Sequence, residues 1–390
     1  MENPLAEGIL PFSGQENCQP NGSSSYERKI RVAYVTSPRE LYGEGIGSDQ
    51  RIIPTLGHIY AKMQSNPSLK NAELAAVFVD DNGCEVDGKK LDVPHRAFAY
   101  LADFCKTNKI LFRVEESKHW RIMPKTVLDS KGERIQNPQK HERKMEYEQR
   151  MLDFMRKNEI DVLISDSYVV LFNSVMLDPK IGFPGLIINI HPGIASEVPG
   201  VTPNFDSVAR AHFFTDDAGE REAIRKSVCR GDPFIKIRKT EKFIGSIKRI
   251  MGKIGAPYIV ADSSEGYECV YIRNTPGMFR AATGSTLHVV DEKIDHGPTI
   301  ICSAGTPIRH RKGPVSESTV HELRVSNYET KNRIAERGLA IFLGREETRS
   351  LIMANRVKNS EHNRELTSPS MVANRQDARR IGAIAAAVIR

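Results

Sequence analysis

Apolar and polar segments alternate along the chain in a pattern that predicts strands and helices in regular succession. Runs rich in Val, Ile and Leu predict buried strands at 30–36, 74–79, 110–114, 161–165, 186–191 and 286–290, with a short return strand at 299–301. Apolar positions at helical spacing predict helices at 52–63, 95–107, 140–158 and 204–210. This order favours the α/β class, with a Rossmann-like, doubly wound and mostly parallel sheet.

The same pattern divides the chain into segments. Residues 1–28 are rich in Pro, Gly, Asn, Gln and Ser, and we expect a disordered tail there. Residues 29–330 form the predicted catalytic domain, which carries a large basic insertion at 213–282. Residues 331–390 begin with helical spacing at 334–343 and then become polar and poorly patterned, which predicts a helical C-terminal extension.

Composition narrows the class of protein. The chain has 390 residues, 39% of them hydrophobic and 27% charged, which suits a globular protein. No apolar run approaches the ~20 residues of a membrane-spanning helix, and no secretory signal is recognisable, so we expect a cytoplasmic protein without membrane association. The six cysteines are widely spaced without a C-x-x-C pair, which predicts reduced thiols and no metal site.

The first candidate for chemistry is the strand end that carries Asn189 and His191. Side chains two residues apart on a strand share one face, and open α/β sheets bind ligands at the carboxyl ends of their strands. Pro192 follows at once and ends the strand. On these residues alone, a hydrogen-bonded structural corner is the more common interpretation.

A second motif makes a functional site at Asn189 and His191 the better interpretation. Residues 284–288 read Gly-Ser-Thr-Leu-His, and residues 295–298 read Asp-His-Gly-Pro. With the Asn-x-His-Pro strand end, they resemble the glycinamide ribonucleotide and methionyl-tRNA formyltransferase family. Its motifs are Asn-x-His-Pro, then Gly-x-[Ser/Thr]-[Leu/Val]-His, then a loop that supplies a catalytic Asp. The resemblance covers about residues 29–305.

The resemblance implies that Asn189, His191 and Asp295 are the catalytic trio. An amine that attacks a formyl carbon creates an oxyanion, to which the amide and the imidazole can donate hydrogen bonds. The amine must also lose a proton, which Asp295 can accept or relay.

The resemblance also implies N10-formyltetrahydrofolate as the formyl donor. Its pteridine would lie between the loop after the strand at residue 161 and the acidic loop before Asp295. The donor-binding residues expected on this basis are Tyr168, Val169, Val170, Leu171, Phe172, Asp291 and Ile294. For residues 169–172, ordinary core packing is an equally good interpretation.

Two Gly-containing segments are candidates for binding the acceptor. The residues that match the family here are Gly45, Gly47, Ser48, Gly200 and Pro203. The first three match a loop that cradles a phosphate at a helix N-terminus, but Asp49 replaces the usual Asn there, and a carboxylate disfavours phosphate. The other two match a turn before a helix, for which an ordinary helix start is an equal alternative.

The acceptor therefore stays open at this point. An amine or hydroxylamine of a small metabolite is expected, with a siderophore precursor such as N5-hydroxyornithine first and a nucleotide-sugar or ribonucleotide amine as the alternative. The net charge of +7 suggests an alternative to an enzyme, namely a basic nucleic-acid-binding protein on the same fold. The basic insertion has few aromatic residues for base stacking (Phe234 and Phe243), which disfavours that alternative. The oligomeric state is not predicted.

Overall fold

The computed structural model describes most of the chain between Arg28 and Thr367. The described ranges are 28–37, 54–81, 85–86, 89–90, 95–116, 120, 123–168, 172, 175–198, 203–238, 241–255, 257–262, 268–275, 282–293, 295–308 and 315–367. The predicted tail, except its last residue, lies outside them. Within these ranges, the helices all lack the length or the apolar character that a membrane crossing requires.

The strands alternate with helices along most of the chain. The described strands are β1 (Ile30–Thr36), β2 (Ala72–Asp81), β3 (Glu85–Val86), β4 (Lys89–Lys90), β5 (Leu111–Glu116), β6 (Thr126–Leu128), β7 (Arg134–Gln136), β8 (Val162–Asp166), β9 (Ile187–His191), β10 (Phe234–Arg238), β11 (Tyr258–Asp262), β12 (Glu268–Arg273), β13 (Ala282–Val289) and β14 (Thr299–Pro307). The described α-helices are α1 (Pro54–Ser65), α2 (His95–Thr107), α3 (Pro138–Lys157), α4 (Pro203–Ala211), α5 (Ala218–Arg230), α6 (Glu241–Ile254), α7 (Glu317–Gly344) and α8 (Glu346–Thr367).

A seven-stranded sheet forms the centre of the fold, in the order β14-β13-β9-β8-β1-β2-β5. The five strands from β9 to β5 pair in parallel, and β13 and β14 are antiparallel to their neighbours. Helices cover both faces. The predicted α/β class with a mostly parallel sheet is confirmed, and the strand order reverses direction between β1 and β8.

The basic insertion packs around a second core, to which Val208 of α4 and Leu323 of α7 also contribute. Strands β10, β12 and β11 form an antiparallel sheet, which the sequence pattern did not predict. In β10, Ile235 and Ile237 are buried while Phe234, Lys236 and Arg238 are exposed, so the strand has the alternation of a half-buried sheet. The spacing of Phe243, Ile247 and Ile250 in the sequence predicts a helix, which is confirmed as α6, and these three residues are buried in this second core.

Helix α7 runs across residues 330 and 331, where the expected C-terminal extension begins. On β13, the backbone oxygen of Gly284 accepts a hydrogen bond from Asn327 Nδ2 at 2.9 Å. The hydroxyl of Thr306 on β14 donates to Asn327 Oδ1 at 2.8 Å and lies 2.8 Å from the Thr330 hydroxyl. These bonds fix α7 on the two antiparallel strands of the main sheet. The division of the chain into domains stays a prediction.

Gly338 allows the close approach of α7 to the sheet. A Cβ atom there would lie 2.4 Å from Leu287 Cδ2 and 2.7 Å from Ile301 Cγ2. We therefore expect Gly338→Val to lower the free energy of unfolding by about 1–3 kcal/mol, because the packed side chains must move apart. Urea denaturation would measure this. Gly252→Val is the control, since nothing lies within 4 Å of its Cβ position. Equal effects of the two substitutions would contradict the close packing.

Candidate active site

The pairing of β9 with β13 brings the candidate side chains together. His288 lies opposite Asn189, and Thr286 lies opposite His191, in antiparallel register. Opposed residues in an antiparallel pair project on the same face, with Cβ atoms ~4.5–5.5 Å apart. An amide, two imidazoles and a hydroxyl therefore share one patch of the sheet.

His191 is held by the loop that follows its own strand. Its Nε2 lies 2.8 Å from the backbone oxygen of Val198, which only accepts, so this nitrogen carries a proton and donates. The loop is fixed in turn by Thr286, whose hydroxyl donates to Gly193 O at 2.9 Å and accepts from Ala195 N at 3.0 Å. In the neutral ring, Nδ1 is therefore the unprotonated nitrogen.

Burial dominates the protonation of His191. The side chain is 3% exposed, and loss of solvation lowers its pKa below the ordinary value. The carboxylate of Asp295 acts in the opposite direction but more weakly. His191 is therefore neutral at neutral pH, with the lone pair of Nδ1 towards Asp295.

Asp295 lies on a tight loop between β13 and β14. Its backbone has φ of +52°, the left-handed region that non-Gly residues seldom adopt. The loop is closed at its base by a hydrogen bond from Val289 N to Pro298 O at 2.9 Å. A Cβ at Gly297 would lie 1.8 Å from Val289 O, so only glycine fits there. The loop thus returns Asp295 to the sheet at a cost in backbone strain.

The carboxylate of Asp295 joins the site residues. Its Oδ2 lies 3.4 Å from His191 Nδ1, and its Oδ1 accepts a hydrogen bond from Asn189 Nδ2 at 3.2 Å. The three residues singled out from the sequence therefore converge. In the part of the chain that the structure describes, no cluster of His, Cys, Asp or Glu is arranged to hold a metal ion.

His288 is a fourth member of the site, to which sequence reasoning gave no role. Its Nδ1 lies 3.0 Å from Val289 O, which requires a proton on that nitrogen. Its Nε2 is then free to accept from Asn189 Nδ2 at 3.1 Å, and it lies 3.4 Å from Asp295 Oδ1. The signal that could have revealed it is the cross-strand position of the motif histidine opposite Asn189.

The residues expected to bind the donor are described only in part. Tyr168 and Phe172 stack, with ring centroids 5.1 Å apart and planes at 23°. The Tyr168 hydroxyl lies 2.7 Å from that of Tyr147, and burial raises the pKa of Tyr168. Asp291 accepts from Lys293 N at 2.9 Å and shapes the start of the Asp295 loop. Val169, Val170, Leu171 and Ile294 lie outside the described residues.

The expected acceptor-binding residues are mostly outside the described ranges as well. Gly45, Gly47, Ser48 and Gly200 all fall there. Pro203 is described, and its Cβ lies 3.0 Å from the position that a Cβ of Gly193 would take. The same position is 3.2 Å from His191 Nε2, so Pro203 lies beside the strand end that carries His191.

Comparisons with known proteins gave matches among solved structures. No family model matches the chain, and no curated protein matches it. PvdF of pyoverdin biosynthesis, an N10-formyltetrahydrofolate-dependent formyltransferase, is similar at 18% identity and a TM-score of 0.47, over 81% of this chain and 100% of that chain. Phosphoribosylglycinamide formyltransferase from Bacillus halodurans is similar at 16% identity and a TM-score of 0.37, over 81% and 96%. The enzyme from Streptococcus pneumoniae shows 12% identity and a TM-score of 0.36, over 80% and 97%. These likenesses concern the fold alone.

The buried, neutral state of His191 predicts how stability depends on pH. Because the pKa of His191 is lower in the folded protein than in the unfolded chain, the unfolded chain binds more protons below about pH 6.5. We expect the free energy of unfolding to fall from pH 7 to pH 5, and to fall less steeply in His191→Asn. Denaturant titrations at several pH values would measure both slopes. His141→Asn, at an exposed histidine, should keep the wild-type slope. Equal slopes in His191→Asn and the wild type would contradict the lowered pKa.

Proposed function

We propose that the protein is an N-formyltransferase that moves the formyl group of N10-formyltetrahydrofolate to an amine or hydroxylamine of a small metabolite. The observation that carries the proposal is the convergence of Asn189, His191 and Asp295 at the carboxyl end of β9. The sequence motifs that bring them together resemble those of folate-dependent formyltransferases. The reaction forms a bond from the acceptor nitrogen to the formyl carbon and breaks the bond from that carbon to N10.

Asn189 is the proposed stabiliser of the oxyanion. Its Nδ2 donates to both Asp295 Oδ1 and His288 Nε2. A protonated Asp295 accepts less strongly, so one N–H of Asn189 can turn to the oxyanion as it develops. Loss of one such donor costs ~3–4 kcal/mol of barrier in comparable sites.

Asp295 and His191 are the proposed holders of the amine's proton. Neutral His191 Nδ1 and the Asp295 carboxylate both accept, and they lie 3.4 Å apart. A single proton between them satisfies both groups, so the pair is built to take up the proton that the attacking amine loses. The same proton can then go to N10 of the departing tetrahydrofolate. His191 donates to the oxyanion only in its Nδ1-protonated state, since Nε2–H is bound to Val198 O.

The donor assignment rests on the sequence motifs and on the position of Tyr168, which follows the end of β8 and stacks on Phe172, a residue of the main core. For the acceptor, we propose an amino-acid-derived hydroxylamine of the N5-hydroxyornithine kind. A nucleotide-sugar or ribonucleotide amine is the second candidate, favoured by the Gly-rich segment before α1.

A screen of amines and hydroxylamines with N10-formyltetrahydrofolate tests the function. Release of tetrahydrofolate that depends on the acceptor, together with a formylated product, is the expected result. The proposal would be refuted if folded protein released no tetrahydrofolate with an amino-acid-derived hydroxylamine, a nucleotide-sugar amine or a ribonucleotide amine. Binding of single-stranded nucleic acid that weakens steeply with salt would instead support the nucleic-acid-binding alternative.

The catalytic trio should be essential to that turnover. We expect His191→Ala and Asp295→Asn each to reduce kcat by ~100-fold or more, because one removes the ring that shares the proton and the other the carboxylate that accepts it. The release of tetrahydrofolate measures kcat, and circular dichroism checks that each variant is folded. His141→Ala is the control. Near-normal kcat in either folded variant would contradict the assigned roles.

His288 should act by positioning Asn189. We expect His288→Ala to reduce kcat about tenfold with the KM of both substrates nearly unchanged, because Asn189 loses one acceptor that fixes its amide. His288→Gln should restore part of kcat, since its amide oxygen can accept from Asn189. A loss of stability without any change in kcat would show that His288 has only a structural role.

A further inference from the structure

A buried ion pair lies at the carboxyl end of β8, outside the catalytic trio. Lys331 Nζ on α7 lies 2.6 Å from Asp166 Oδ1, and the two side chains are 3% and 0% exposed. The hydroxyl of buried Tyr34 also donates to Asp166. Two charges removed from water cost free energy that their attraction only partly recovers, so such a pair is weak support for stability alone.

The position of the pair is the one where open α/β sheets bind ligands. Asp166 ends β8 next to β1, and the strand order reverses direction between these two strands. At such a switch point the loops from neighbouring strand ends diverge, and a crevice opens beyond the carboxyl edge. The pair therefore lies at the carboxyl edge of the sheet, at the switch point between β1 and β8.

Unsatisfied hydroxyl groups accompany the pair. Thr36 lies opposite Asp166 in the register of β1 with β8, is fully buried, and its Oγ1 has no hydrogen-bond partner. The hydroxyl of Thr55, in the first turn of α1, is likewise buried without a partner. Buried hydroxyls are normally bonded, so at least Thr36, beside Asp166, is positioned to bond a ligand.

We propose that Asp166 and Lys331 bind the head group of a zwitterionic α-amino acid, which is the formyl acceptor. Lys331 meets its carboxylate and Asp166 meets its ammonium group, with Thr36 as a further hydrogen-bonding group. This inference rests on the proposed function and names the substrate class of the same site.

The distance to the trio suits such an acceptor. Asp166 is in register with Ile190, the residue between Asn189 and His191, and adjacent strands lie ~4.8 Å apart. The pair is on the face covered by α7, and the trio is on the opposite face. An amino acid with an unbranched side chain can cross the carboxyl edge and present its terminal nitrogen to Asp295.

The test compares two hydroxylamines that differ only in the carboxylate, N5-hydroxyornithine and N-hydroxyputrescine. We expect the wild-type protein to prefer the amino acid by roughly 100-fold in kcat/KM, because the diamine has no carboxylate for Lys331 to bind. In Asp166→Asn/Lys331→Met, which removes both charges together, this preference should disappear while the KM for N10-formyltetrahydrofolate stays unchanged. A preference kept by the folded double variant would overturn the proposal.

The matched control is Arg356→Met. It breaks the ion pair from Arg356 on α8 to Asp161, which lies 2.8 Å away just before the opposite end of β8, and it should keep the preference. Calorimetry with ornithine and putrescine gives a readout without turnover. If the wild-type protein binds ornithine more tightly than putrescine and the double variant does not, the result supports head-group binding by Asp166 and Lys331 even without formyl transfer. Equal binding of ornithine and putrescine by the wild-type protein overturns the proposal that Asp166 and Lys331 bind the head group. Absent turnover by itself counts against the proposed function only.

Discussion

The antiparallel pairing of β9 with β13 is the constraint on which the candidate site depends. The antiparallel register places His288 against Asn189, and it makes β13 end near the start of β9, where Val289 lies opposite Ile188. The loop that leaves β13 then has to fold back to bring Asp295 to His191. The left-handed backbone of Asp295 and the absence of a side chain at Gly297 make that path sterically possible.

The same two antiparallel strands make α7 part of the main core. Leu287 on β13 packs against α7 at Gly338, while the next residue, His288, faces the site on the other side of the sheet. Alternation along one strand thus joins the packing of α7 to the position of Asn189. For this reason α7, although it lies far from β8 in the sequence, brings Lys331 to the carboxyl end of that strand.

The sequence was informative where the structure is regular and buried. The fold class followed from continuous apolar strands, and β1 and α2 have the predicted bounds. The convergence of the trio followed from motifs that fix both the residue types and their strand contexts. The first strand of the insertion, Phe234–Arg238, alternates as a half-buried strand does, but it was missed because its charged positions belong to a longer basic segment. Long-range partners such as Lys331 and Asp166 were missed because 165 positions separate them and no local pattern joins them.

Charge balance at the buried edge bears on which acceptor the protein can take. In the described structure Asp166 and Lys331 neutralise each other, and Asp295 lies between the imidazoles of His191 and His288, of which burial lowers the pKa of His191. A phosphate placed there would add net negative charge beside Asp166 in a poorly solvated region, which is costly unless further cations are supplied. A zwitterion adds no net charge and offers each member of the pair an opposite partner. The electrostatics of this edge therefore support the proposed amino-acid acceptor over a ribonucleotide one, independently of the sequence motifs from which the formyl-transfer chemistry was inferred.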